Sequence, residues 1–293
     1  MTESSGTAAA RLVWPCAALL GEGPIWLAET RTLWFVDIKR GQLHALMPQG
    51  GGRETFDVGG SPSFIVPLND GALLVGNGGK LQRLERGVVV KTVAEIDMPT
   101  HNRTNDATVG PDGVLWFGTM DDRERAPTGR VYRFDGAVRE AGGACTITNG
   151  PAISPDGRWL YHVDTLAGLI WRFDIDGGAA ELRTGTVFVT IDPADGHPDG
   201  VTIDSEGCLW VGLWGGWCVR RYSVAGALLE SVAVPCANVT KVAFGGDDLR
   251  TGYVTTARVG LSEEALAGQP DAGGLFAFDA PAAGLRAHAV SLR

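Results

Sequence analysis

A strand-turn-strand pattern recurs six times along the chain, and this repeat constrains the fold more than any other feature. Its most regular part is a short apolar strand that returns at steps of 40 to 49 residues. The six copies are Leu33–Val36, Leu73–Gly76, Leu115–Gly118, Leu160–Val163, Leu209–Gly212 and Gly252–Thr255. Short strands at a period of about 45 residues are typical of the blades of a β-propeller.

The residues around each copy support the same interpretation. Five of the six strands follow a Gly or Asp turn such as Asn69-Asp70-Gly71, and such residues accept the backbone angles of tight hairpins. An alternating strand comes next in every repeat: Gln42–Leu46, Lys80–Leu84, Arg130–Phe134, Leu169–Phe173, Cys218–Tyr222 and Gly274–Phe278. A weaker fourth strand usually follows, as at Val187–Thr190. We predict an all-β, six-bladed β-propeller with four-stranded antiparallel blades; an irregular β-sandwich or barrel is the alternative.

The repeats also suggest how the ring is closed. Residues 1–10 carry no strand pattern and are expected to form a flexible tail, and residues 11–293 to form a single domain. The strand Arg11–Trp14 precedes the first repeat. We expect it to complete the last blade together with a C-terminal strand near Ala287–Val290.

Composition narrows the class of partner. The net charge of −9 argues against nucleic acid and anionic membrane surfaces, and no apolar run approaches the roughly 20 residues that span a bilayer. No signal peptide is visible in Met1–Ala10, and the five cysteines include no CxxC pair. We therefore expect a soluble, cytoplasmic, monomeric protein that acts on a small molecule.

One position of the repeat is polar in every blade. It lies ten to twelve residues before the recurring strand, and the six residues are Glu22, Ser63, Asn105, Asn149, Asp199 and Thr240. The innermost strand of each propeller blade faces the central channel, so residues in the same phase are expected to converge on one channel mouth. Two carboxylates with amide oxygens suit Ca²⁺, Mg²⁺ or Mn²⁺, while Fe²⁺ and Zn²⁺ stay open. The sequence thus predicts a metal site in the channel; the alternative is that these residues only cap strands or hydrate the channel.

Several short motifs resemble a known family, the senescence-marker-protein-30/gluconolactonase/luciferin-regenerating group. The similarity covers residues 11–293, and the motifs that carry it are Leu20–Trp26, Asn102–Asp106, Trp116–Met120, Thr148–Pro151 and Pro198–Gly200. Within the group, the chain is most similar to bacterial xylonolactonases and arabinonolactonases through Asn105–Val109, Cys145–Pro151 and Ala237–Lys241.

The resemblance implies a six-bladed propeller that hydrolyses a sugar lactone with one divalent metal. It implies Glu22, Asn149 and Asp199 as metal ligands, and Arg103 and Asn105 as contacts to the substrate. Asp199 is also expected to act as the acid/base. Animal members carry an acidic substrate contact near Asp121–Glu124, which makes Asp122 a candidate here although strict alignment places Arg123 at that position. His101 and His197 precede ring positions and are further candidates at the channel mouth.

Two other functions compete with a lactonase. A propeller can use its channel as a non-catalytic sugar-binding or scaffold site, since this fold serves many functions. The same metal could also support a phosphotriesterase-like hydrolase. The paired acids favour an enzyme, because a scaffold has no need of acidic ligands in its channel. The sequence contains no Gly-x-Ser-x-Gly motif, which argues against a serine hydrolase.

Overall fold

The computed structural model describes residues 9–175, 181–182 and 184–292. In it, β1 is Arg11–Trp14, and the four-stranded sheets follow in chain order. Blade 1 contains β2 Gly21–Leu27, β3 Thr32–Asp37, β4 Gln42–Met47 and β5 Gly52–Asp57; blade 2 contains β6 Pro62–Pro67, β7 Leu73–Asn77, β8 Lys80–Glu85 and β9 Val88–Glu95. Blade 3 contains β10 Asn102–Val109, β11 Leu115–Asp121, β12 Gly129–Phe134 and β13 Val138–Cys145.

The second half of the chain repeats this pattern. Blade 4 contains β14 Thr148–Ile153, β15 Trp159–Asp164, β16 Leu169–Asp174 and β17 Gly185–Thr190; blade 5 contains β18 His197–Ile203, β19 Leu209–Trp214, β20 Cys218–Tyr222 and β21 Leu228–Ala233. Blade 6 contains β22 Val239–Gly245, β23 Thr251–Thr256 and β24 Leu275–Asp279. The first strands of neighbouring blades contact one another all round the ring, from β2 through β22 and back to β2. The predicted six-bladed propeller with antiparallel four-stranded blades is confirmed.

The ring closes through the N-terminal strand. In blade 6, β1 pairs antiparallel with β24, so the first and last strands of the chain share one sheet as predicted. The position expected for the C-terminal strand is wrong, because Ala287–Val290 contains no strand. Instead, Val290 makes a parallel bridge to Leu68 of blade 2, so the end of the chain crosses from the last blades to an earlier one. Most of the expected tail lies outside the described residues, and Ala10 donates its N–H to the carbonyl of Ala233 at 2.8 Å.

The core lies between the blades. Side chains that alternate along the strands pack against the next sheet, as Phe64 of blade 2 does against Phe117 of blade 3, and Phe117 stacks on Tyr132. Trp210, one of the Trp residues at a shared strand position, is fully buried and donates to Asp204. The five cysteines are free. The described helices are the 3₁₀ helix Pro193–Asp195 and α1 Glu263–Gly268, and none is long or apolar enough to cross a membrane.

Candidate metal and substrate site

A cavity of about 350 Å³ lies at one end of the channel, where the innermost strands begin; we call it the site cavity. Four of the six ring residues line it: Glu22, Asn105, Asn149 and Asp199. They come from β2, β10, β14 and β18, so four separate blades contribute one polar side chain each. The structure therefore brings together all three predicted metal ligands and one predicted substrate contact.

The two hydroxyl residues of the ring point elsewhere. Ser63 donates its hydroxyl to Thr104 at 2.8 Å, and Thr240 donates its hydroxyl to the carbonyl of Gly21 at 2.7 Å. Both are fully buried and neither lines the site cavity. The expectation that all six ring residues converge on one mouth is wrong for these two, because their short side chains bond to neighbouring strands.

Local backbone irregularity aims the ring residues. In all six blades the pairing of the first and second strands shifts register at the ring position: between Glu22 and Ile25, Pro62 and Phe64, Thr104 and Ala107, Asn149 and Ala152, Pro198 and Val201, and Val239 and Lys241. Such β-bulges are common beside functional sites because they redirect a side chain. The Gly that follows Glu22 and the Gly that follows Asn149 have positive φ angles of 53° and 69°, which other residues adopt only with strain.

The two acids of the site are buried without a cationic partner. Glu22 is 5 % exposed and Asp199 is 7 % exposed, and neither forms an ion pair within the described residues. Burial, followed by the charge of nearby Asp106, raises the pKa of Glu22 to about 7. Burial also raises the pKa of Asp199 well above its usual range, with the charges of Glu22 and Asp106 adding to the effect. Two such acids form a strongly attractive environment for a divalent cation.

Hydrogen bonds fix the amide side chains beside these acids. Asn105 donates to the Oδ1 of Asn149 at 3.0 Å and to the carbonyl of Thr148 at 2.7 Å. The amide of Asn149 donates to the hydroxyl of Thr165 at 2.9 Å. These bonds fix which end of the Asn149 amide is oxygen, and Asn149 lines the cavity together with Glu22 and Asp199.

This donor set fits a hard divalent ion. Two carboxylates balance a 2+ charge, and an amide oxygen is a normal further ligand for Ca²⁺, Mg²⁺ or Mn²⁺. The described residues contain no group of three or more His, Cys, Asp or Glu side chains that could hold a metal ion. The third oxygen of this set comes from an amide instead. Three protein ligands would leave coordination positions for water and substrate.

Cationic side chains form another part of the cavity wall. Arg103 is buried, and its Nη1 donates to the Oδ1 of Asn105 at 2.6 Å while its Nε donates to Asp122 at 2.7 Å. Lys39 donates to the same oxygen of Asp122 at 2.8 Å. Arg103 and Lys39 line the cavity, whereas Asp122 does not. The structure thus places Asp122 behind the two cations, where it orients them.

The two candidate histidines differ in position, and so do Trp214 and Trp217 near the end of β19. His197 lines the cavity, whereas His101 does not and lies 3.4 Å from the hydroxyl of Thr128. Trp214 also lines the cavity, but Trp217 does not and is 46 % exposed.

Sequence reasoning missed a set of residues that share one location in the blades. They lie at or just after the end of the second strand of a blade. Because the first two strands are antiparallel, this end pairs with the beginning of the first strand and lies at the cavity end of the channel. The set comprises Lys39, Met120, Glu124, Thr165, Leu166, Val259 and Gly260. Glu124 ends the segment Asp121–Glu124, in which the sequence singled out Asp122 instead. In the sequence, these residues could have been found as the segments that connect the second and third strands of each repeat.

The sequence and the described fold match a known family of proteins. The family described as the SMP-30/Gluconolactonase/LRE-like region matches residues 20–258, and the chain belongs to this family. A 6-deoxy-6-sulfogluconolactonase from Pseudomonas putida is 35 % identical over 89 % of this chain and 91 % of the relative. The pentonolactonase XacC from Haloferax volcanii is 34 % identical over 90 % of this chain and 92 % of the relative.

Among solved structures, a calcium-binding protein, regucalcin, from Agrobacterium tumefaciens superposes with a TM-score of 0.91. It is 28 % identical in sequence, and the match covers 97 % of this chain and 99 % of that protein. The family resemblance seen in the sequence motifs is confirmed, and the curated relatives point to enzymes that hydrolyse sugar lactones.

Proposed function

We propose that the protein hydrolyses a sugar lactone to the aldonic acid with the help of one divalent metal ion. The observation that carries the proposal is the pair of buried acids, Glu22 and Asp199, which share one cavity with the amide oxygen of Asn149. A pentonolactone such as xylono- or arabinonolactone is the preferred substrate of this proposal. The similarity to a pentonolactonase supports that choice, and a cavity of about 350 Å³ falls within the usual range for small-molecule sites.

The metal would be held by Glu22, Asn149 and Asp199. When bound, such an ion supplies the positive charge that polarises a lactone carbonyl and acidifies water. The similarity to a structure described as a calcium-binding protein supports a divalent ion. Its identity among Ca²⁺, Mn²⁺, Mg²⁺, Fe²⁺ and Zn²⁺ is a question for experiment.

Arg103 is proposed to hold the substrate. Its Nε and Nη1 are bonded to Asp122, Thr104 and Asn105, and its Nη2 makes no hydrogen bond to the described residues. Three fixed bonds orient the guanidinium before substrate binds, so little side-chain freedom is lost on binding. We assign the free Nη2 to a ring hydroxyl of the lactone, beside Asn105.

Asp199 is proposed to move the proton. Its carboxylate would accept a proton from the attacking water as the water oxygen bonds to the carbonyl carbon. The ring C–O bond then breaks, and the same proton passes to the departing ring oxygen, which becomes a hydroxyl group of the aldonic acid. The position of Asp199 in the cavity, beside the other two proposed ligands, supports this role, because the base must lie within hydrogen-bond reach of the attacking water.

A lactone panel tests the proposal. Proton release is measured with a pH indicator on pentono-, hexono- and simple lactones, and on an anionic 6-substituted hexonolactone. The protein is assayed after chelation and after readdition of each of the five ions. We expect turnover of pentonolactones that chelation abolishes and one or more ions restore.

Two results would contradict this proposal. Full lactonase activity in well-folded, metal-stripped protein would overturn the metal-dependent mechanism. No proton release on any lactone would overturn the activity itself and favour the sugar-binding module, and hydrolysis of a phosphotriester alone would favour the phosphotriesterase-like alternative.

A further inference from the structure

A second set of residues lies next to the ring residues along the innermost strands. Each member follows a ring residue in sequence, and the six are Gly23, Phe64, Asp106, Gly150, Gly200 and Lys241. Three are glycines and two are charged. Asp106 belongs to blade 3 and Lys241 to blade 6, and these blades face each other across a ring of six.

The two charged residues meet across the channel. The Nζ of Lys241 lies 2.5 Å from the Oδ1 of Asp106, and their side chains are 9 % and 1 % exposed. A bond between opposite blades needs a long side chain, and Lys241 extends over the bare backbone of Gly200. A Cβ added to Gly200 would lie 2.7 Å from the Cβ and Cγ of Lys241.

The pair is bonded to backbone beside the ring residues. The Oδ2 of Asp106 accepts the N–H of Gly150 at 3.1 Å, directly after Asn149. Asp106 itself follows Asn105, and the stem of Lys241 packs on the residue that follows Asp199. One ion pair thus touches the strands that carry three of the four polar ring residues of the site cavity.

The pair also separates two cavities. Asp106 and Lys241 line a lower cavity of about 340 Å³ on the far side of the ring, which reaches Arg286 and His288 near the C-terminus. The four ring residues of the site cavity do not line the lower cavity, and the ion pair does not line the site cavity. The pair therefore lies between the ring residues and the lower cavity.

We propose that the Asp106–Lys241 pair is a positioning device for the metal site: its bond across the channel sets the positions of Asn149 and Asp199 on the neighbouring strands of blades 4 and 5. This inference rests on the proposed function, because it assigns the pair to the metal site described above. A buried ion pair is weak evidence for stability, since desolvation offsets much of its attraction, so a specific spatial role is the better explanation for it.

Metal affinity is the measurement that separates positioning from charge. We compare Lys241→Met, Asp106→Asn and the double variant by calorimetric titration of metal-stripped protein with the ion that best restores activity, or with Ca²⁺ and Mn²⁺ if none does. Each single variant leaves an unpaired buried charge, whereas the double variant restores the charge balance without restoring the cross-channel bond. We expect at least a tenfold weaker Kd in all three, with kcat reduced as well.

Two further variants make the test independent of general destabilisation. Arg221→Met removes another buried cation, one that pairs with Asp204 in blade 5 away from the site cavity. We expect it to lower the melting temperature while leaving the metal Kd within twofold of wild type. Gly200→Ala keeps both charges but displaces the Lys241 stem, and we expect it to weaken metal binding at least fivefold, so the inference stays testable if a charge variant does not fold.

The outcomes are distinguishable. A folded double variant with wild-type metal affinity would overturn positioning and leave charge balance as the role of the pair. Wild-type affinity in Gly200→Ala would also overturn it. A wild-type protein that binds none of the ions would overturn the proposed metal-dependent function and this inference together.

Discussion

Glu22 and Asp199, the acidic residues of the proposed metal site, are unfavourably placed for the stability of the metal-free protein. Each acid is buried, and burial together with nearby negative charge raises both pKa values. In the metal-free protein, ionising these groups opposes folding, because a folded-state pKa above the unfolded one makes stability fall as pH rises through that interval. Functional sites commonly reduce stability in this way.

Replacement of Asp199 should separate binding from stability. We expect Asp199→Asn to abolish metal binding and to lower kcat/KM at least about 10³-fold, since a ligand and the proposed base are lost together. In the metal-free state at pH 8, the free energy of unfolding of the variant should be higher than that of wild type by up to about 1 kcal/mol, because a buried carboxylate has been replaced by a neutral amide. Calorimetric titration, lactone hydrolysis and urea unfolding measure the three effects.

A surface acid provides the control for that variant. Asp112 lies in an exposed turn of blade 3, where its Oδ1 accepts the N–H of Val114. Asp112→Asn should leave metal affinity and turnover unchanged. Retention of wild-type metal affinity by Asp199→Asn would exclude Asp199 as a ligand.

Buried histidines should make the protein sensitive to acid. Burial lowers the pKa of both His44 and His162 to about 4. The pKa of a histidine in the unfolded chain is about 6.5, so below that pH the unfolded state binds a proton that the buried histidine does not. The stability present above pH 6.5 is therefore lost progressively as the pH falls toward 4. His44 lies beside Trp14 and Phe35, and a phenylalanine at this position cannot be protonated. As the pH falls from 7.5 to 4.5, we expect the free energy of unfolding of His44→Phe to decrease by about 2 kcal/mol less than that of wild type.

The measurement is urea unfolding at the two pH values. The difference between variant and wild type removes the contribution of carboxylates that titrate in the same range. His288, which is exposed, serves as the matched control, and His288→Asn should follow the wild-type profile. An unchanged pH dependence in His44→Phe would show that His44 does not carry this acid sensitivity.

At the scale of single strands, the glycine after Glu22 connects folding with the site. Gly23 adopts a φ of 53°, and a Cβ there would lie 2.8 Å from the carbonyl oxygen of Ser63 in the next blade. The bulge therefore needs both the left-handed backbone and the absence of a side chain. Its position directly after a proposed ligand means that strain there would move Glu22.

Alanine at this glycine should be more harmful than alanine at a turn glycine. We expect Gly23→Ala to lower the free energy of unfolding by about 3 kcal/mol, from the left-handed backbone and the backbone clash together, and to weaken metal binding. Gly71 has a φ of 86° with no atom within 4 Å of an added Cβ, so Gly71→Ala should lose only about 1 kcal/mol with unchanged affinity. Equal losses of stability in the two variants would contradict the proposed close packing at Gly23.

For the whole molecule, closure of the ring depends on the ends of the described chain. β1 supplies the outer strand of blade 6, and the C-terminal segment bridges Asp204 in blade 5 and Leu68 in blade 2. These links connect residues far apart in sequence, so they oppose opening of the ring between blade 6 and blade 1. An unpaired β24 would also expose a strand edge, which favours aggregation.

Removal of the closing strand tests this role. We expect a variant that lacks residues 1–14 to melt about 7 °C below wild type and to aggregate, since loss of about 4 kcal/mol shifts the melting temperature of a domain of this size by roughly that amount. A variant that lacks only residues 1–8 retains β1 and is the matched control, expected to melt within about 2 °C of wild type. Differential scanning calorimetry and light scattering provide the measurements, and equal melting temperatures would contradict closure by β1.

Much of the architecture could be read from local pattern. Period-two alternation and glycine turns define the strands, and a repeat such as Leu209–Gly212 defines the blades, because each blade is a local unit built from consecutive hairpins. The same phase identified Glu22, Asn149 and Asp199 as channel residues, and all three line the site cavity. The strand expected at Ala287–Val290 failed because its pairing depends on a distant blade.

Which polar side chains share the cavity was decided only by the tertiary structure. Both blades carry the bulge, yet Asn105 lines the cavity whereas the shorter side chain of Ser63 bonds to the neighbouring strand, a difference that the repeat phase alone does not encode. Ring closure brings Lys39 of blade 1 to Asp122 of blade 3, and Asp106 to Lys241 across 135 residues. The sequence alone determined the blades because their contacts are local; the chemistry of the channel depends on six blades meeting around one axis.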